Sequence, residues 1–128
     1  MVVVTDLLTV ARKVTNYDID ATGGGLWTDT THYRVTVPVG KRWKFLGGYC
    51  NRDVSSIVNG FIYNASDKIL QYMVSQTAAA TGFAIPTTAL GVETSSLYMD
   101  VGEYFEMTFA VAQGVGAYAS FQVLEVDV

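Results

Sequence analysis

This 128-residue sequence predicts an all-β fold: a single antiparallel β-sandwich, jelly-roll-like, preceded by a short N-terminal helix or arm. Three observations predict it. Apolar and polar residues alternate with period two in several short runs, the mark of a strand with one buried face. Clusters of Gly, Pro, Asn and Asp punctuate those runs at regular spacing, as turns do in a sandwich. Half of the residues are hydrophobic and only 16% are charged, so there is apolar side chain enough to fill a core between two layers. The length fits one domain, 1–128, with residues 1–15 as the helix or arm and 26–128 as the sandwich.

Residues 3–14 read as a helix because Val4, Leu7, Leu8, Ala11 and Val14 recur at helical spacing. Thr5 suits the cap, and Arg12 with Lys13 the last turn. The β-branched content keeps a strand open as the rival. Residues 16–25, NYDIDATGGG, read as a loop of Asx turns running into a triglycine. Asn16, Asp18 and Asp20 invite a calcium reading, but Ala21 and Trp27 stand where that loop needs its glycine and its bidentate glutamate.

Tyr33, Val35 and Val37 then alternate with Arg34 and Thr36. Pro38 has no N–H for a ladder, Gly40 permits a reversal, and Trp43 and Phe45 resume the alternation. This reads as a hairpin. Gly47-Gly48 signals a bulge or a close backbone approach. Residues 57–63 and 69–74 flank the loop 64–67 and read as an antiparallel pair. Residues 75–94 show no period and read as a long surface excursion, with room for one short strand. Residues 97–99 form a short strand, 100–103 a turn, 104–111 a strong strand, 113–116 the last turn and 117–126 the last strand.

The composition narrows the function classes. A net charge of −4 argues against a nucleic-acid binder, which needs clustered Lys and Arg. The uncharged run 69–92 is too rich in Thr, Ser and Gln for a membrane span. No apolar leader segment is visible, so synthesis in a cytoplasm is expected. Cys50 is the single cysteine, which leaves no intrachain disulfide. Cys50 and His32 are the sole thiol–imidazole combination, without an orienting third group. Asp100, Glu103 and Glu106 read as turn and solvent-face carboxylates and not as a glycosidase pair. One histidine leaves the chain poor in metal ligands. No catalytic, cofactor-binding or metal residue is expected, and no enzyme. Asn64-Ala65-Ser66 fits an N-glycosylation acceptor but reads as a turn. Low charge with many aromatics suits subunit interfaces, so a homo-oligomer is expected; exposed Trp and Tyr leave a sugar-stacking platform as the alternative.

The stretches VPVGKRWKFLGG, NRDVSS and MDVGEYFEMTFAVAQGVGAYASFQVLEV resemble small virion proteins of tailed bacteriophages. The likeness spans roughly 33–74 and 97–127 and lies in turns and strands, with Gly102-Glu103-Tyr104 opening a closing hairpin. It implies a capsid decoration (cement) or head-fibre protein, a homotrimer on the outer capsid surface whose partner is the major capsid protein. A carbohydrate-binding, host-adhesion module is the other reading. Expected contact residues are Leu7, Leu8, Trp27, Trp43, Phe83 and Pro86, because the N-terminal segment and the 75–94 excursion are not needed for the sandwich.

Overall fold

A computed structural model describes residues 13–20, 27–77, 79, 81–87, 90–92 and 97–128, with residues 13–20 and 27–29 as backbone only. They form ten strands: β1 (Lys13–Asp20), β2 (Trp27–Asp29), β3 (His32–Thr36), β4 (Lys41–Asn51), β5 (Val58–Tyr63), β6 (Ile69–Gln76), β7 (Gly82–Ile85), β8 (Tyr98–Met99), β9 (Tyr104–Phe109) and β10 (Tyr118–Asp127). The first sheet has the order β1-β10-β4-β7, with β8 also on β4; the second has the order β2-β3-β9-β5-β6. Every pairing is antiparallel.

The pairing is nested. The first strand pairs with the last, β3 with β9, β4 with β7 and β8, and β5 with β6. A chain doubled back on itself in this way and rolled into two layers is a jelly roll. The expected sandwich is therefore present, and so is the β5–β6 hairpin around residues 64–68.

The hairpin expected at 33–46 is something else, and the turn expected at 100–103 is of the same kind. The Pro38–Gly40 turn joins β3 in the second sheet to β4 in the first, and residues 100–103 join β8 in the first to β9 in the second. Both are arches that cross between the layers. The alternation of Tyr33, Val35, Trp43 and Phe45 is the same in either arrangement, because both strands aim their apolar face at the core. What differs is the hydrogen-bonding neighbour, and that is not written in the period.

Two further expectations need correction. The proposed loop at 16–20 belongs to β1, in unbroken register with β10 from Lys13↔Glu125 to Asp20↔Tyr118. Turn-favouring Asn and Asp yield there to a ladder supplied by distant residues. The 75–94 excursion contains β7, a strand of the first sheet whose Phe83 and Ile85 are buried. Of the helix read at 3–14, residues 13–14 are strand and 3–12 lie outside the described residues.

Phe121 sits at the centre of the core. Its ring lies 4.8 Å from Phe45 and 6.3 Å from Trp43 in its own sheet, and stacks at 4.9 Å on Phe105 of the facing sheet. Tyr33 meets Phe105 edge-on at 6.4 Å. Trp43 donates its indole N–H to the buried Glu125 carboxylate at 2.9 Å, which satisfies a polar group at the end of the apolar layer.

The bulge expected at Gly47-Gly48 is real. Val123 faces Phe45 while Gln122 faces Gly47, so Leu46 is the extra residue. It shifts the phase of β4: Trp43 and Phe45 point inward before it, Cys50 after it. Gly48 then passes so close to β10 that a Cβ there would lie 2.6 Å from the Ser120 carbonyl oxygen. Phe121→Ala should cost about 3–5 kcal/mol in urea unfolding through lost burial and a cavity. Gly48→Ala should cost about 1–3 kcal/mol through overpacking against backbone.

Candidate interaction surface

The structure scatters the residues expected to meet a partner. Trp43 is fully buried, and Phe83 is buried beneath the Arg52 guanidinium, 5.2 Å from its ring. Neither presents surface; both pack in the core because β4 and β7 aim them inward. Pro86 is half-buried after β7. Trp27 lies on β2 opposite Tyr33. Leu7 and Leu8 lie outside the described residues.

The candidate chemical groups are also kept apart. His32 is in the second sheet and Cys50 in the first, so they are not on adjacent strands. The His32 Nδ1 is 2.9 Å from the Thr31 hydroxyl. Burial pushes the Cys50 thiol up to about 12, against a smaller opposing pull from Arg52. A thiol held protonated in this way is a poor nucleophile. Asp100 pairs with Arg42 at 2.7 Å, Glu106 with Arg34 at 2.8 Å, and Glu103 accepts the Asp100 N–H at 2.8 Å. Among the described residues no group of three His, Cys, Asp or Glu could hold a metal ion. What this arrangement offers is surface.

One end of the sandwich is a rigid apolar tip. Arg52, buried at the end of β4, donates to the Thr81 carbonyl at 3.0 Å, the Ser56 carbonyl at 2.8 Å and the Thr77 carbonyl. Asp53 accepts the N–H groups of Gly114 at 2.8 Å and Gly116 at 3.0 Å. The buried Gln113 amide donates to the Val54 and Val111 carbonyls at 3.2 and 3.0 Å, and its oxygen accepts the Val54 N–H at 3.2 Å. The loops 51–57 and 110–117 are thereby pinned to each other, and the first also to Thr77 and Thr81. They hold Val54, Ile57, Val111 and Val115 exposed, Val115 at 75%. Sequence reasoning missed this cluster, since Arg52 and Asp53 read as an ordinary turn and their partners lie up to 63 residues away.

The outer face of the second sheet carries a ladder of rings. Tyr72 stacks on Phe61 at 4.6 Å and Tyr63 on Tyr104 at 4.9 Å, and Arg34 covers Tyr104 at 4.2 Å. The Tyr104 hydroxyl donates to Asp67 at 2.6 Å; burial first, and this bond second, push it up to about 12. Interplanar angles of 12° and 17° mean that these rings cover one another's faces. These ring contacts brace the outer face of the sheet.

Open ring surface is found on the first sheet. Tyr49 and Tyr118 lie 6.1 Å apart and are 40% and 43% exposed. Tyr49 reaches across β7 over Gly82, where a Cβ would fall 1.7 Å from its hydroxyl oxygen. The glycine is what lets the ring lie there.

No protein-family model matches the chain, and no curated protein matches it. Among solved structures it is similar to a virus-like particle of the extra small virus of the giant freshwater prawn Macrobrachium rosenbergii, at 13% identity and a TM-score of 0.41, over 91% of this chain and 78% of that one. Chains related at that score need not share strand topology.

Gly82→Ala should turn Tyr49 away from β7 at a cost of about 1 kcal/mol, since only the end of one side chain must move; near-ultraviolet circular dichroism and urea unfolding together check this. Stability should also fall at alkaline pH. The folded-state values of Cys50 and Tyr104 are raised, so the unfolded chain holds fewer protons once pH passes their ordinary values. Stability is therefore full below about pH 9 and declines towards pH 12. Cys50→Val should remove the part of that decline that starts near pH 9, read from urea midpoints between pH 7 and 11.

Proposed function

We propose that this chain is a non-enzymatic structural protein of a virion, a capsid decoration (cement) subunit that binds the outer capsid surface. The observation that carries the reading is the nested jelly-roll order, with pinned loops presenting exposed aliphatic side chains at its end. Jelly rolls recur in viral capsid and lectin domains. The turn and strand resemblance to small tailed-phage virion proteins points to the first of these. A cement protein works by area buried at each joint, which favours low charge and preformed apolar surface. The Arg52–Asp53–Gln113 network supplies such surface already ordered, so docking would cost little loop entropy. A homotrimer would add the avidity of three such contacts.

Exposed rings on the first sheet, Tyr49 beside Tyr118 and Tyr98 on β8, support a second reading, a glycan-binding module. Trp43 is buried and the second-sheet rings are stacked face to face.

The test is co-expression with the major capsid protein of the parent genome, followed by gradient purification. The chain should migrate with the particles at fixed stoichiometry. Val115→Asp should lower its occupancy at least tenfold without changing its own urea midpoint. Particles free of the chain, together with glycan-array binding abolished by Tyr49→Ala, would replace the first reading with the second. Light scattering should give the mass of a trimer.

A further inference from the structure

The outer face of the first sheet carries its exposed rings at two separate places. Tyr98, on β8, is 60% exposed. Lys44 pairs with it from β4 and sets its ammonium group 4.7 Å from the ring centroid. At the other place Tyr49 and Tyr118 stand 6.1 Å apart, tilted by 40°. The β4–β10 ladder measures the gap. Lys44 faces Leu124 and Tyr49 faces Ser120, which is four residues along β10, or about 14 Å at the rise of a strand. Tyr118 lies two residues further on, about 20 Å from the level of Tyr98.

Between the two places the face is low and polar. The bulge leaves Gly47 and Gly48 there, and a Cβ added at Gly47 would meet nothing within 4 Å. On β10 the outward residues are Gln122, exposed, and Ser120, half-buried. A protein partner is held by a filled, desolvated centre; this face has its rings at the ends and glycine, amide and hydroxyl in the middle. A glycan chain matches that order. Each sugar offers C–H groups to a ring and hydroxyls to amides, side-chain hydroxyls and backbone. Lys44 is the one charged residue in 44–49 and 118–124. Asp18 and Asp20 stand opposite Ser120 and Tyr118 in the β1–β10 ladder, which disfavours an anionic ligand.

We propose that this face binds an extended neutral glycan laid along the strands, with one sugar on Tyr98 and another on Tyr49 and Tyr118. One sugar ring cannot reach both places, so the ligand is an oligosaccharide several units long. Its two ring contacts reinforce each other through effective concentration. The proposal rests on the glycan reading of the first sheet and adds to it the length and the charge of the ligand.

The experiment is titration of the full chain with β-1,4-linked glucose oligomers and β-1,4-linked N-acetylglucosamine oligomers, from dimer to hexamer. In at least one series the hexamer should bind at least tenfold more tightly than the dimer. Tyr98→Ala, at an exposed position where the urea midpoint should not move, should abolish that gain with length and leave dimer binding as it is. Tyr49→Ala should weaken binding at every length. Equal affinity for dimer and hexamer, or a hexamer that binds Tyr98→Ala as well as the parent, would overturn the extended site and leave the glycan reading with Tyr49 and Tyr118 alone. Tighter binding of a sulfated hexamer would overturn the neutral ligand. No binding in either series would overturn the proposal; together with a blank glycan array it would remove the reading beneath it as well.

Discussion

The stack of Phe121 on Phe105 is the contact on which the two layers depend. β10 lies between β1 and β4, and β9 between β3 and β5, so each sheet is organised around a central strand from the C-terminal part of the chain. Phe121 and Phe105 join those two strands across the core. Around them Trp43, Phe45 and Tyr33 fill the layer with rings at tilted or edge-on angles, the geometry that aromatic quadrupoles favour. Because β1 pairs only with β10 among the described residues, the first strand finds its sheet only after the last is in place. This is a fold of long-range contacts throughout.

The Leu46 bulge reconciles two demands on β4. Its first half must aim Trp43 and Phe45 into the aromatic core, and its second half must aim Cys50 inward and Tyr49 outward. A strand with strict period two cannot do both, and one extra residue resolves the conflict. Gly48 and Gly82 belong to the same solution. The first lets β10 and Ile85 close over the bulge, and the second lets Tyr49 lie across β7.

The arches decide which side chains the sandwich leaves outside at its two ends. In a jelly roll the connections gather at two ends, and here each end is fixed by its own hydrogen bonds. At one, a buried arginine, an aspartate and a glutamine tie the loops 51–57 and 110–117 to each other and to Thr77 and Thr81. At the other, backbone groups of two turns bind each other. Both ends leave aliphatic side chains exposed on loops held by these bonds. The Cys50 thiol is buried, and Asp100, Glu103 and Glu106 are engaged with arginines or backbone.

The sequence by itself determined the strands with one buried face, the β5–β6 hairpin, the bulge at the glycine pair and the all-β class. Each is local: period two reports which side of a strand is apolar, and Gly, Pro and Asn report where the backbone reverses. Only the tertiary structure decided which strand lies beside which. It turned the hairpin expected at 33–46 and the turn at 100–103 into arches between the layers, drew residues 16–20 into β1, and put Trp43 and Phe83 in the core and not on the surface. The Arg52–Asp53–Gln113 tip was invisible for the same reason. A hydrogen bond from Arg52 to Thr81, or from Gly116 to Asp53, joins residues far apart in the chain, and no spacing or propensity records which distant loop the fold will bring within reach.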